Sequence, residues 1–188
     1  MLVEPMSPDV LVWLVNEWGS APRAAAGEDQ ASYPDASLLA ALLAGSGVRE
    51  CPPGLLTTRA LGQAADRLHP VFAATGSSER LGLVNTLLTE TGVRPALELA
   101  DGRPGETWLV EDPRQTLLAA AALTLRHQLA AGDPDRVGVC SGHRCADAYI
   151  DASPTARRRF CSVTCQNRAR VATWRRQQRA SSQPSNRQ

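Results

Sequence analysis

Four cysteines packed into one short window constrain this chain more than any other feature. Cys140 and Cys145 have four residues between them, a connector of 15 residues follows, and Cys161 and Cys165 have three between them. Two close pairs on a short connector are what a tetrahedral all-thiolate Zn²⁺ site requires, because each pair folds around one edge of the metal. A unit of roughly 35 residues cannot bury enough apolar surface to fold alone, so zinc binding, worth about 10–16 kcal/mol in such sites, supplies its stability. Four protein ligands leave no open position for water, which points to a structural ion rather than a catalytic one. His143 lies inside the first pair and is an alternative ligand, but with four thiols at hand it reads as a solvated loop residue. A redox-sensing dithiol is the other alternative, since zinc-bound thiolates can be oxidised. Cys51 stands apart and reads as a small buried apolar residue.

Charge divides the chain at the same place. The 188 residues carry a formal charge of only +1, but residues 1–139 hold 10 Arg against 17 acids, net −7, and residues 140–188 hold 10 Arg against Asp147 and Asp151, net +8. A basic end on an acidic body is the asymmetry of a nucleic-acid binder. The chain has no lysine, so all 20 cations are arginines, planar forks suited to phosphate and to guanine edges. The start, "MLVEPMSPDVLVWLV", has no basic leader, and its apolar run Val10–Val15 is too short for a signal core or a membrane span. These features predict a cytoplasmic protein with no membrane partner, in which thiols stay reduced.

The first 132 residues read as mainly α. Ser7 with Pro8 starts a helix that Gly19 stops, and "APRAAAGEDQASYP" reads as a loop. Asp35 or Ser37 starts a second helix through "LLAALLAG". Thr57 or Thr58 caps a third, which Pro70 ends or kinks, and Ser77 or Ser78 caps a fourth. The period then changes: Ala96–Ala100 and Glu106–Val110 alternate on either side of "DGRPG" and read as an inserted β-hairpin. A long helix follows between Pro113 and Gly132. This gives a helical domain over 1–132, a hinge at 133–138, a small treble-clef-like zinc finger with a basic helix over 139–180, and a disordered tail at 181–188. In the finger, "DAYID" and "RRRF" read as the strands of a hairpin, and Cys161 and Cys165 as residues at the start of the final helix. The triplet "LVN" at 14–16 and 83–85 reads as chance rather than a repeat.

At 100° per residue, Arg168, Arg175, Arg176 and Arg179 fall on one face of that final helix, and Val171 and Trp174 on another with Asn167. Arg157, Arg158 and Arg159 add a second cluster near the metal, and Arg170 a further cation on the helix. Residues 152–188 contain nine Arg and no acid, so the surface repels itself unless an anion binds, and phosphate is the commonest such partner. Asn167 and the arginines are also suited to base edges. Phe160 and Trp174 read as packing residues rather than stacking platforms, which favours duplex DNA over RNA.

The Cys140/Cys145 pair, Asp151-Ala-Ser, "RRRFCS" at 157–162 and "CQNR" at 165–168, together with "LVNEW" at 14–18 and "LVNTLL" at 83–88, give this chain its likeness to a known family. It resembles the bacterial CGNR zinc-finger proteins, which join an N-terminal ABATE domain to a C-terminal finger. Gln166 stands in place of the family's glycine, and the second cysteine pair is one residue closer than in many members. The resemblance implies a stress-related transcription regulator whose finger binds DNA, and it gives the N-terminal domain no settled ligand. A finger this small buries little surface, which points to dimerisation through the helical domain, and that domain is also the place for a small-molecule effector.

Residues and resemblance together predict a DNA-binding regulator acting on double-stranded DNA as a homodimer, with an RNA-binding or protein-docking zinc module as the alternative. An enzyme is disfavoured, because the three histidines are scattered and no phosphate loop, nucleophile elbow or His/Glu metal motif occurs.

Overall fold

The computed structural model describes residues 1–28, 33–35, 37, 53–100 and 102–181. The elements there are mostly helical: α1 (Pro8–Trp18), α2 (Ser20–Ala26), α3 (Thr58–Ala73), α4 (Ser77–Thr91), α5 (Thr116–Ala131) and α6 (Val163–Ser181). Two small sheets join them. Strands β1 (Leu2–Val3), β3 (Arg103–Leu109) and β2 (Arg94–Ala100) lie side by side in that order, and β4 (Val137–Val139) pairs with β5 (Ala148–Ile150), all antiparallel. Of the second expected helix, only its start lies among the described residues, where Asp35 Oδ1 accepts the Ser37 N–H at 2.9 Å. The rest of "LLAALLAG", Cys51 and residues 182–188 lie outside them.

Helix α5 is the centre of the molecule. Its residues from Thr116 to Leu125 are all buried, which the run of four alanines permits by letting neighbouring backbones approach on every side. It shares one hydrophobic core with Leu11, Leu14, Val15 and Trp18 of α1, Leu61, Ala65, Leu68 and Phe72 of α3, and Val84 and Leu87 of α4. Thr124 satisfies its hydroxyl inside this core, 2.8 Å from the Met6 carbonyl.

Local signals set most helix ends. Ser7 accepts the Val10 N–H and Thr57 the Ala60 N–H, as side chains at such positions do. Four expectations change. Residues 20–26, read as loop, form α2, closed by Gly27 in the left-handed region. Gly76, not Ser77 or Ser78, precedes the first turn of α4. Pro70 does not end α3, which runs on to Ala73; the proline carbonyl still accepts the Ala74 N–H, so only its own missing donor is lost. The first hairpin is longer than expected at Arg94–Ala100 and Arg103–Leu109, with Pro104 and Gly105 inside a strand and Gly102, at φ 76°, in the positive-φ conformation at the turn.

Residues 133–138 form a short 3₁₀ turn, Pro134–Arg136, and enter β4. Arg80 of α4, only 4% exposed, holds this turn: its guanidinium donates to the carbonyls of Val71, Ala74 and Pro134 and lies 3.7 Å from Asp135. A buried guanidinium bonded on three sides fixes where the chain leaves the helical body.

Candidate metal centre

The sulfur cluster rests on β4 and β5, which flank the first cysteine pair. Val137 and Ala148 of these strands belong to the main core, so the hairpin is docked on the helices rather than tethered to them. Asn16 of α1 donates to the Ala148 carbonyl at 3.1 Å and accepts its N–H at 2.7 Å, and His69 of α3 lies 2.8 Å from the Ala146 carbonyl. Sequence reasoning assigned no role to either side chain.

The finger hairpin is therefore built from Val137–Val139 and Ala148–Ile150: the expected strand within "DAYID" forms, but its partner is β4 and not "RRRF". Residues 157–160 run beside it without a ladder, because other groups take their backbone bonds. The Asp151 carboxylate accepts the N–H groups of Ser153 and Arg158, the Tyr149 hydroxyl donates to the Arg158 carbonyl, and Ser141 N–H donates to the Arg159 carbonyl. Asp151 is 3% exposed, and its bonds, led by those from Ser153, hold its carboxyl below the usual range. Gly138 lies under Tyr149 so closely that a Cβ there would come within 2.7 Å of the phenol oxygen.

Between the strands the chain turns tightly from Cys140 to Cys145, with Arg144 at φ 57°. Gly142 N–H points at Cys140 Sγ at 3.4 Å, and a Cβ on Gly142 would press on that sulfur at 3.2 Å. Cys161 sits before α6 rather than on it. Ser162 caps the helix by accepting the Cys165 N–H at 3.2 Å, which places Cys165 in the first turn.

The four sulfurs lie within 4.8 Å of one another, with Cys145 to Cys161 at 3.7 Å and Cys161 to Cys165 at 3.5 Å. Zinc–sulfur bonds of about 2.3 Å at tetrahedral angles put sulfurs about 3.8 Å apart, so the cluster fits that ion. Its protonation chemistry agrees. Burial pushes the Cys145 thiol up to about 12 and raises Cys161 as well. Cys165 moves down despite its burial, because hydrogen bonds from Cys161 and Ser162 favour its thiolate. Burial favours the protonated form at Cys145 and Cys161; a divalent ion would replace those protons and cross-link the knuckle to the helix. His143 is not part of the cluster.

Around the metal site the arginines differ in what they do. Arg158 donates to the carbonyls of Phe160, Ile150 and Cys161 and lies over the Tyr149 ring, so its guanidinium is engaged within the finger. Arg157 and Arg159 are exposed beside it. Along α6, Asn167, Arg168, Arg170, Arg175, Arg176 and Arg179 are all exposed, and none makes an ion pair with a described residue. Val171 and Trp174 are exposed too, at 46% and 59%, against the expectation that Trp174 packs; α6 projects beyond the hairpin, and no described element covers that face. Gln166, at the family's glycine position, is an ordinary helical residue without positive φ.

No helix among the described residues is long and apolar enough to cross a membrane. No curated protein matches the chain. The segment that carries all four sulfurs, the hairpin and most of α6, residues 136–178, matches the family model described as the CGNR zinc finger, and with the sulfur geometry this identifies it as a zinc-binding module.

Proposed function

We propose that the chain is a DNA-binding transcriptional regulator in which Zn²⁺ braces a treble-clef-like finger and α6 docks on duplex DNA. The observation that carries this reading is the state of α6: a projecting helix, exposed over nearly all its length, with seven arginines besides Arg158 in the finger and helix facing solvent on a stretch that contains no acid. Phosphate oxygens are the counter-charge such a surface lacks. Arg168, Arg175, Arg176 and Arg179 form the phosphate-facing stripe, Arg157 and Arg159 extend it, and Asn167 is suited to base edges, with Arg170 a further cation on the other side of the helix. Arg158 acts inside the finger instead.

The helical body is, on this reading, the ABATE-like domain, which sets dimerisation or senses a small molecule. A finger of this size buries little surface, so a two-fold complex on a two-fold site supplies the affinity. The second reading, an RNA-binding or protein-docking module, is favoured by one observation, the exposure of Trp174 and Val171.

Titration of labelled duplexes with zinc-loaded protein at several salt concentrations tests the first reading. Each lost phosphate contact flattens the salt slope by about 0.9, so Arg175→Ala with Arg176→Ala should reduce it by about 2. Binding that ignores both salt and these substitutions contradicts it.

A further inference from the structure

The two sides of α6 are chemically different, and the basic stripe uses only one of them. On the other side, Phe160, Gln166, Ala169, Arg170, Thr173 and Trp174 line a shallow groove of about 330 Å³ between the helix and the segment leading into Cys161. Helical geometry puts this groove about 150° around the axis from the stripe formed by Arg168, Arg175, Arg176 and Arg179. It has two aromatic sides, one of them the most exposed of the chain's four tryptophans. The Thr173 hydroxyl is already engaged, donating to the Ala169 carbonyl and accepting from Arg176, while Gln166 and Gln177 add amide groups to the lining. Arg170 stands at its edge and makes no ion pair with a described residue.

An occupant must match a flat apolar slot and an arginine together. An aliphatic protein segment would cover Phe160 and Trp174 but leave Arg170 without a counter-charge. An acidic loop would do the reverse. An unpaired nucleotide does both, since its base has a π face and its phosphate sits one sugar away. We propose that the Phe160–Trp174 groove stacks one unpaired nucleobase while Arg170 holds that nucleotide's phosphate. This rests on the nucleic-acid reading of α6 and extends it: the stripe grips duplex, and the groove on the far side takes a base from a single-stranded or unpaired stretch next to it.

The test uses the full zinc-loaded chain with two probes, a blunt duplex and the same duplex with a single-stranded oligothymidine overhang, followed by anisotropy and tryptophan emission. The overhang should bind tighter and quench emission. Trp174→Ala should remove that gain, weakening overhang binding by about 5- to 150-fold with blunt-duplex affinity unchanged. Trp174→Phe should keep most of the gain and lose the quench. Equal affinity for the two probes, insensitive to Trp174→Ala, overturns the groove assignment while leaving the duplex reading intact. Binding of neither probe overturns both. A dimer that depends on Trp174 without nucleic acid gives the groove to a second copy and also overturns the assignment.

Discussion

Asn16 holds Ala148 by both of its backbone groups, donating to the carbonyl at 3.1 Å and accepting the N–H at 2.7 Å across 132 positions of sequence. One side chain of the first helix thereby serves as the missing neighbour strand for the edge of the finger hairpin. The metal module is built onto the helical body at this point, with Val137 and Ala148 sharing its core.

Asn16→Ala should therefore loosen the finger without touching a sulfur. It leaves two backbone groups of β5 without partners, at a cost of about 1–3 kcal/mol each if they stay dry. Hydrogen exchange should speed up at Ala148 and its neighbours and stay slow in α5. Uniform exchange at the wild-type rate would show that the contact holds nothing.

Gly138→Ala should displace Tyr149, because the new Cβ would meet the phenol oxygen at 2.7 Å and the adjacent ring carbon at 2.9 Å. The ring cannot stay and keep its 2.8 Å bond to the Arg158 carbonyl. The expected loss is about 1–3 kcal/mol in denaturant unfolding. In a Tyr149→Phe background the same change should cost less, since one of the two colliding atoms is gone. Equal costs in both backgrounds would count against the proposed clash.

Acid should release the metal before it breaks the hairpin. Zinc must displace thiol protons whose affinity is raised by burial at Cys145 and Cys161, so binding weakens about tenfold per pH unit for each proton displaced. Asp151 is shifted in the opposite direction, and its contribution is also lost on acidification but at lower pH. Its folded value is depressed, so its contribution is fully present above the unfolded value of about 3.9 and is lost only as pH falls through the lower folded value. A chelating dye should report zinc at mildly acid pH while the Ser153 and Arg158 amides remain protected. Simultaneous loss of both would contradict this order.

The parts that were legible in the sequence are those with local causes. Ser7, Gly19, Thr57 and the cysteine spacing announce themselves within a few residues. What stayed hidden depends on partners far along the chain. Asn16 and Asn85 sit in the same "LVN" triplet, but the first clasps β5 and the second is exposed, and nothing nearby distinguishes them. Arg157, Arg158 and Arg159 are equally alike in sequence, and only the tertiary position of three carbonyls sets Arg158 apart. Strand β4 is three residues between turn formers, too short for an alternation to register. The fate of Trp174 also turned on whether any element covers α6, which helical periodicity does not encode.

Mass spectrometry of the intact chain under native, reducing conditions tests the central claim most directly. The account predicts one Zn²⁺ per chain with loss of the corresponding thiol protons, and none for Cys161→Ser with Cys165→Ser. A metal-free wild-type chain whose finger amides are as well protected as those of α5 would contradict it.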